Sequence, residues 1–128
     1  AYTESVIKVL TPEGFRVYAG SEVFLMRTMR AGGVGCISAT ANVNPKAIAT
    51  LAANWQAAGA DQHQAELDQV RAIFQKYQMI AALKTAVAHY SKDADWLRIR
   101  PPLVPLGADQ QKKLIAELEQ IHFSMPGL

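Results

Sequence analysis

The sequence predicts an α/β fold: two strand–helix units followed by a run of helices. Three observations carry this. Two short β-prone runs, residues 15–19 (FRVYA) and 34–37 (VGCI), are each bounded by turn residues. Each leads into a segment that starts with a helix-capping residue. After Pro45 every apolar stripe has a helical period, and no strand pattern recurs. Alternating βα units imply parallel strands with covered faces. Two short strands cannot close a barrel or complete a doubly wound sheet. The chain is therefore expected to pair with strands it does not contain or to be a piece of a longer polypeptide. It starts at Ala1, without Met and inside a helical pattern, which favours the piece.

The elements follow in order. Residues 2–10 carry Val6, Ile7, Val9 and Leu10, as the tail of a helix would. Thr11-Pro12-Glu13-Gly14 is a turn, with Pro suited to its second position and Gly to its fourth. The first strand is 15–19. Ser21 is the expected cap of a helix over 22–30, whose Val23, Leu25, Met26 and Met29 share a side. Gly32 and Gly33 supply a turn, and 34–37 reads as a buried strand. Ser38, Thr40 and Asn42 then present polar groups where it ends. Asn44 followed by Pro45 marks a helix start, with Asn as cap and Pro in the first position.

Ile48, Leu51, Ala52 and Trp55 recur at spacings of three and four, and Gly59 is expected to end that helix. Asp61 with Gln64 resembles a capping box that opens the next helix. Its apolar line runs through Leu67, Val70, Phe74, Tyr77 and Ala81 and continues past Val87 to about Tyr90. That is long for one helix, so a break is expected near 78–82. Residues 91–95 are loop-like, and 96–105 (WLRIRPPLVP) hold three prolines and cannot be helix interior. Residues 108–122 form a last helix with Leu114, Ile115, Leu118 and Ile121 on one face, and the tail 124–128 should fray.

Composition narrows the function classes. With 128 residues, half of them hydrophobic, the chain is long enough to fold around a core. A formal net charge of +2 gives no reason to propose a nucleic-acid or membrane-surface partner. There is no apolar run of membrane-spanning length and no signal-peptide pattern. Cys36 is the single cysteine, so no internal disulfide can form and a reducing compartment fits best.

Two places can carry chemistry: Gly20-Ser21-Glu22 after the first strand, and 37–42 after the second. Ligands of parallel α/β folds bind at the carboxyl ends of strands. Both places sit at such ends and should share one face. The plainer reading is that Ser21, Glu22 and Asn42 cap helices and satisfy turns, and both readings stay open here. Gly33-Val34-Gly35 precedes its strand, whereas a dinucleotide fingerprint follows one, so a nucleotide site is not expected. His63, His89 and His122 lack metal-ligand spacing and read as surface residues. No metal or cofactor is expected. Cys36 reads as a small buried hydrophobe. Arg98 and Arg100, flanking Ile99, read as alternation in an extended segment or as a carboxylate clamp. Met26, Met29 and Met79 look like core filler. Lys46, Lys84, Lys112 and Lys113 fall in helices, away from the strand ends where a Schiff-base lysine would be placed.

Three segments, FRVYAGSE, GGVGCISATANVNP and RPPLVPL, resemble the dihydrodipicolinate synthase and N-acetylneuraminate lyase family in content, order and spacing. The resemblance covers nearly the whole chain. It implies the C-terminal part of a (β/α)8 TIM barrel (the last two strands and their helices, residues 1–58) plus a C-terminal helical domain (59–128). It further implies a class I aldolase, lyase or dehydratase that holds pyruvate or another 2-keto acid as a Schiff base, typically a cytoplasmic homotetramer. Ile37 matches the position whose carbonyl faces the bound keto acid. Gly20 matches a glycine lining that pocket. Glu22 matches an acidic position that contacts the distal part of the substrate in lyase members, and Ser21 stands where the lysine-pathway enzyme has Asp. Ala39 stands where some lyases have a substrate-binding Ser. The family's proline-rich helix entry is missing around 78–84. The Schiff-base lysine, relay tyrosine and carboxylate-binding Thr segment are expected upstream of Ala1, so the chain alone is expected to supply pocket wall and to be inert. The alternative is a non-catalytic α/β interaction or oligomerisation module, with the helices after Pro45 as its assembly surface.

Overall fold

The computed structural model describes residues 2–126. Its sheet consists of two parallel strands, β1 (Tyr18–Ala19) and β2 (Gly35–Cys36), with Tyr18 opposite Gly35 and Ala19 opposite Cys36. Backbone bonds from Val34 N–H to the Val17 carbonyl (3.0 Å) and from Ile37 N–H to the Ala19 carbonyl (2.8 Å) extend the pairing by a residue. Both strands are shorter than 15–19 and 34–37. At one end, Phe15 is drawn away to close the preceding turn, its N–H bonded to the Leu10 carbonyl at 3.2 Å. The expectation of a buried second strand is also corrected: Val34 and Ile37 are exposed, while Gly35 is buried. By alternation Ile37 shares a face with the exposed Tyr18, whereas Ala19 and Cys36 on the other face are buried and half-buried; Val34, also on that second face, is exposed at the entry to the strand.

The chain divides into two compact units, Ala1–Asp68 and Gln69–Leu128. In the first, α1 (Tyr2–Leu10) buries Ile7, and a 3₁₀ turn (Thr11–Glu13) ends at Gly14 in the left-handed region (φ 85°). The helix expected over 22–30 begins as a 3₁₀ turn (Glu22–Phe24) and becomes α-helical only in α2 (Leu25–Arg30). Ser21 caps it as expected, its Oγ accepting from Val23 N–H at 3.4 Å. The chain then turns tightly into β2. A Cβ on Gly33 would lie 2.5 Å from Thr28 Cγ2 and 3.0 Å from the Thr28 and Val17 carbonyl oxygens, so only glycine fits this approach. Helix α3 (Pro45–Ala53) has Pro at its start, but the Asn44 side chain makes no cap bond. It stops at Asn54, whose N–H reaches the Thr50 and Leu51 carbonyls at 3.1 Å each. Gly59 (φ 90°) belongs to the turn that precedes the next helix.

Helix α4 (Ala60–Phe74) crosses the boundary between the units. Asp61 and Gln64 do not form a capping box: α4 already begins at Ala60, and both side chains bond elsewhere. Asp61 pairs with Arg30 at 2.8 Å. Gln64 accepts from Met26 N–H (3.1 Å) and donates to the Glu22 carbonyl (2.9 Å) and to Asp68 (2.8 Å). The first unit's core joins α2, α3 and α4 through Leu25, Met26, Ile48, Leu51, Ala60 and Leu67, with Met29, Cys36 and Trp55 packed against it. Each fully buried leucine here contributes about 1.5–3 kcal/mol relative to exposure.

In the second unit the predicted break falls at 75–78, slightly early. There Gln78 caps α5 (Met79–Ser91) by accepting from Ala81 N–H at 2.7 Å. Small residues let α5 bury Ala81, Ala82, Ala86 and Ala88 together with Leu83, Thr85 and Val87. Lys92, in the left-handed region, ends it. A 3₁₀ turn (Ala94–Leu97) follows, then an irregular stretch with a cis Pro101–Pro102 bond and a buried Leu106. Helix α6 (Ala108–Gln120) buries Leu114 and Leu118. It stops short of residue 122, because His122 takes a left-handed conformation (φ 55°). Phe123 meets Phe74 and Tyr90 edge-on. Of the tail expected to fray, residues 127 and 128 lie outside the described residues.

Candidate functional site at the strand tips

Parallel pairing fixes the geometry of the site. Because Ala19 faces Cys36, the next residues, Gly20 and Ile37, stand side by side at the carboxyl ends. Nothing lies within 4 Å of a Cβ built on Gly20, so its backbone borders open space. Ile37 is 74% exposed. Together they form a bare backbone edge with an apolar side chain beside it.

Beneath this edge lies a polar knot. Glu22 opens the turn after β1 and is only 1% exposed. One carboxylate oxygen accepts from the Ser38 hydroxyl and the other from the Thr40 hydroxyl. Ser21 Oγ lies 3.3 Å from the carboxylate as a third donor, and the Ser38 and Thr40 hydroxyls are 3.1 Å apart. A buried carboxylate is costly unless hydrogen-bonded donors replace its water. Here those donors come from the exit of the other strand. Glu22 thus ties the two strand tips together, and Gln64 fastens the same turn from α4 through the Glu22 carbonyl.

Of the residues singled out from sequence, Gly20, Ser21, Glu22 and Ile37 are brought to one place. Asn42 is turned back on its own loop, its Nδ2 donating to the Ala39 carbonyl at 2.8 Å. Cys36 is half-buried; burial, with a further contribution from the Glu22 charge, pushes its thiol pKa up, which disfavours the nucleophilic thiolate. His63 and His122 are exposed, and His89 faces Glu119 at 3.7 Å. Among the described residues no group of three or more His, Cys, Asp or Glu could hold a metal ion. Arg98 and Arg100 are exposed on either side of the half-buried Ile99, the alternation expected of an extended segment, and Arg98 also pairs with Asp95 at 2.9 Å. Lys46 lies on α3, Lys84 on α5, and Lys112 and Lys113 on α6, and the strand tips carry no lysine.

The hydroxyl donors Ser38 and Thr40 and the brace Gln64 were not assigned these roles from sequence. Ser38 is extended and Thr40 lies in the 3₁₀ turn Ala39–Asn42 that follows it, which brings both hydroxyls to the same carboxylate. Their carboxylate partner is 16 and 18 residues away in sequence, and no local pattern announces it.

Comparison with known proteins places the chain among relatives. The model of the dihydrodipicolinate synthetase family matches residues 2–121. The chain is 31% identical over 120 residues to 4-hydroxy-tetrahydrodipicolinate synthase of Trichlorobacter lovleyi, a match covering 91% of this chain and 40% of that protein. It is 30% identical over 114 residues to the enzyme of the same name from an Exiguobacterium species, covering 87% of this chain and 38% of that one. Among solved structures it superposes with a TM-score of 0.79 on an E. coli K12 prophage protein of the dihydrodipicolinic acid synthase family in complex with pyruvate. That pair shares 24% identity over 92% of this chain and 41% of the other. The 2-keto-3-deoxygluconate aldolase of Sulfolobus sulfataricus, in complex with D-KDPG, gives a TM-score of 0.75 at 21% identity, covering 86% of this chain and 38% of that one. The chain spans about two fifths of the length of the curated relatives it matches.

Proposed function

Because the chain belongs to the dihydrodipicolinate synthetase family, we propose that it is part of a class I, Schiff-base-forming aldolase or lyase acting on pyruvate or another 2-keto acid. In this reading it is the C-terminal part of a (β/α)8 barrel with its helical extension. Residues 1–58 are the end of the barrel and 59–128 the extension. The observation that carries the reading is the side-by-side placement of Gly20 and Ile37 at parallel strand ends, above the Glu22 knot. Ligands of parallel α/β folds bind at such ends. The Gly20 backbone and the Ile37 carbonyl form the wall against the keto acid. Ser21 and Glu22 lie on the side of its distal groups, with Glu22 also setting the spacing of the wall.

Carbon–carbon cleavage through an iminium needs an amine that becomes an electron sink. In this proposal that lysine, and the tyrosine that relays protons, belong to upstream polypeptide. The chain alone supplies binding surface and no nucleophile. The upstream barrel is then an obligatory partner. The protein is assigned to the cytoplasm and to a homotetramer; one matched structure is described as a monomeric dihydrodipicolinate synthase variant, so the fold itself does not impose a tetramer. No helix among the described residues is long and apolar enough to cross a membrane.

The test is reductive trapping with pyruvate and borohydride in the polypeptide that carries the upstream sequence. Gly20→Val places a side chain where nothing lies within 4 Å, so the fold tolerates it while the pocket fills. The expected result is a pyruvate adduct in the parent and its loss in Gly20→Val. Equal trapping in both removes Gly20 from the pocket and contradicts the reading.

A further inference from the structure

The second unit contains a groove of about 520 Å³ between α5, the 94–97 turn and α6, and it shares no residue with the strand tips. Its floor is apolar: Ala88, Leu97, Ile115 and Ala116. Alanines at 88 and 116 leave open a space that larger side chains would fill. Arg98 is paired with Asp95 at 2.9 Å, and Lys84 both donates to the Arg98 carbonyl and sits 5.9 Å over the Trp96 ring. A preformed apolar groove with few polar groups is the usual setting of a small-molecule site.

The polar lining decides what fits. The Thr85 hydroxyl donates to the Ala81 carbonyl (2.8 Å) and one Gln111 amide hydrogen goes to the Leu106 carbonyl (2.7 Å), and neither side chain carries charge. His89 and Glu119 face one another. Lys92 and Lys112 remain: among the described residues neither has an acidic partner. Two lysines against one glutamate leave a surplus of a single positive charge. Lys112 and Glu119 are seven residues apart on one helix, about 10 Å along its axis. A second negative charge on a ligand of that length would meet Glu119.

We propose that this groove is a second ligand site, taking a monoanionic amphipath: one carboxylate at Lys112 and an apolar body along the alanine floor. Octanoate is the probe, with octan-1-ol and octanedioate as comparators, followed by ¹⁵N–¹H NMR titration of the full chain. Octanoate should shift amides of the groove, octanol should bind about threefold more weakly, as loss of one exposed ion pair implies, and octanedioate should bind no tighter than octanoate. Lys112→Gln should bring octanoate down to the affinity of octanol. Ala116→Phe, at an exposed position, should abolish binding with dispersed spectra retained. Octanol binding as tightly as octanoate, shifts outside the groove, or full binding by Ala116→Phe would overturn the proposal. None of these outcomes bears on trapping at the strand tips.

Discussion

Replacing Thr40 by Val tests the polar knot directly. Valine keeps the volume of threonine and removes the hydroxyl that donates to Glu22, at a position with no solvent exposure. The Ser38 hydroxyl, 3.1 Å from Thr40 Oγ1, already donates to the other carboxylate oxygen, and Glu22 itself is only 1% exposed. A hydrogen bond to a charged group contributes about 1.5–3 kcal/mol, and a buried carboxylate with one donor fewer keeps its desolvation cost. We expect Thr40→Val to lower stability by about 2 kcal/mol. In urea, with a slope of about 2 kcal/mol/M, that moves the midpoint down by about 1 M. The double-mutant cycle with Glu22→Gln isolates the pair. Contacting partners should couple by about 1 kcal/mol or more, so the double variant should lose less than the sum of the singles. A midpoint shift within error for Thr40→Val, or strict additivity in the cycle, would refute the claim that Glu22 is held by the second strand's exit.

Three further outcomes follow. Gly33→Ala drives a Cβ into Thr28 and two carbonyl oxygens, and should cost about 1–3 kcal/mol, read as a lower Tm. The Arg27 guanidinium, by hydrogen bonding Glu4, holds its carboxyl down at about 2, against 4.5 for the free group. A depressed folded pKa adds stability above about 4.5 that is lost as pH falls towards 2. Glu4→Gln should therefore flatten acid unfolding within that window, weakly and less so in high salt, since the pair is exposed. Cys36, its thiol pushed up first by burial and then by Glu22, should react with iodoacetamide more slowly than free cysteine at pH 8 and recover the free rate in denaturant.

The α/β order was legible because it rests on local rules: β-prone runs bounded by turns, then apolar stripes of helical period. Pro45 at a helix start and the turn ending at Gly14 depend on φ preferences of single residues, and both lie where those preferences put them. What sequence missed depends on partners far along the chain. Gln64 looked like half of a capping box with Asp61, but tertiary partners on 22–26 and Arg30 claim both. Ile37 looked buried because it is apolar and β-branched, yet the sheet face it occupies is uncovered. Parallel pairing already put the exits of both strands on one face, but which hydroxyls meet the Glu22 carboxylate depends on the exact register, which no short pattern encodes.

The central claim is that these strand tips wall a keto-acid pocket whose reactive amine lies elsewhere in the polypeptide. Intact-mass analysis after pyruvate and borohydride tests it most directly, on the 128-residue chain alone and joined to its upstream sequence. The account predicts an unmodified mass for the chain alone and one reduced pyruvate adduct, on an upstream lysine, in the longer polypeptide. A specific adduct on Lys46, Lys84, Lys112 or Lys113, or no adduct in the longer polypeptide, contradicts it, the second outcome favouring a non-catalytic interaction module.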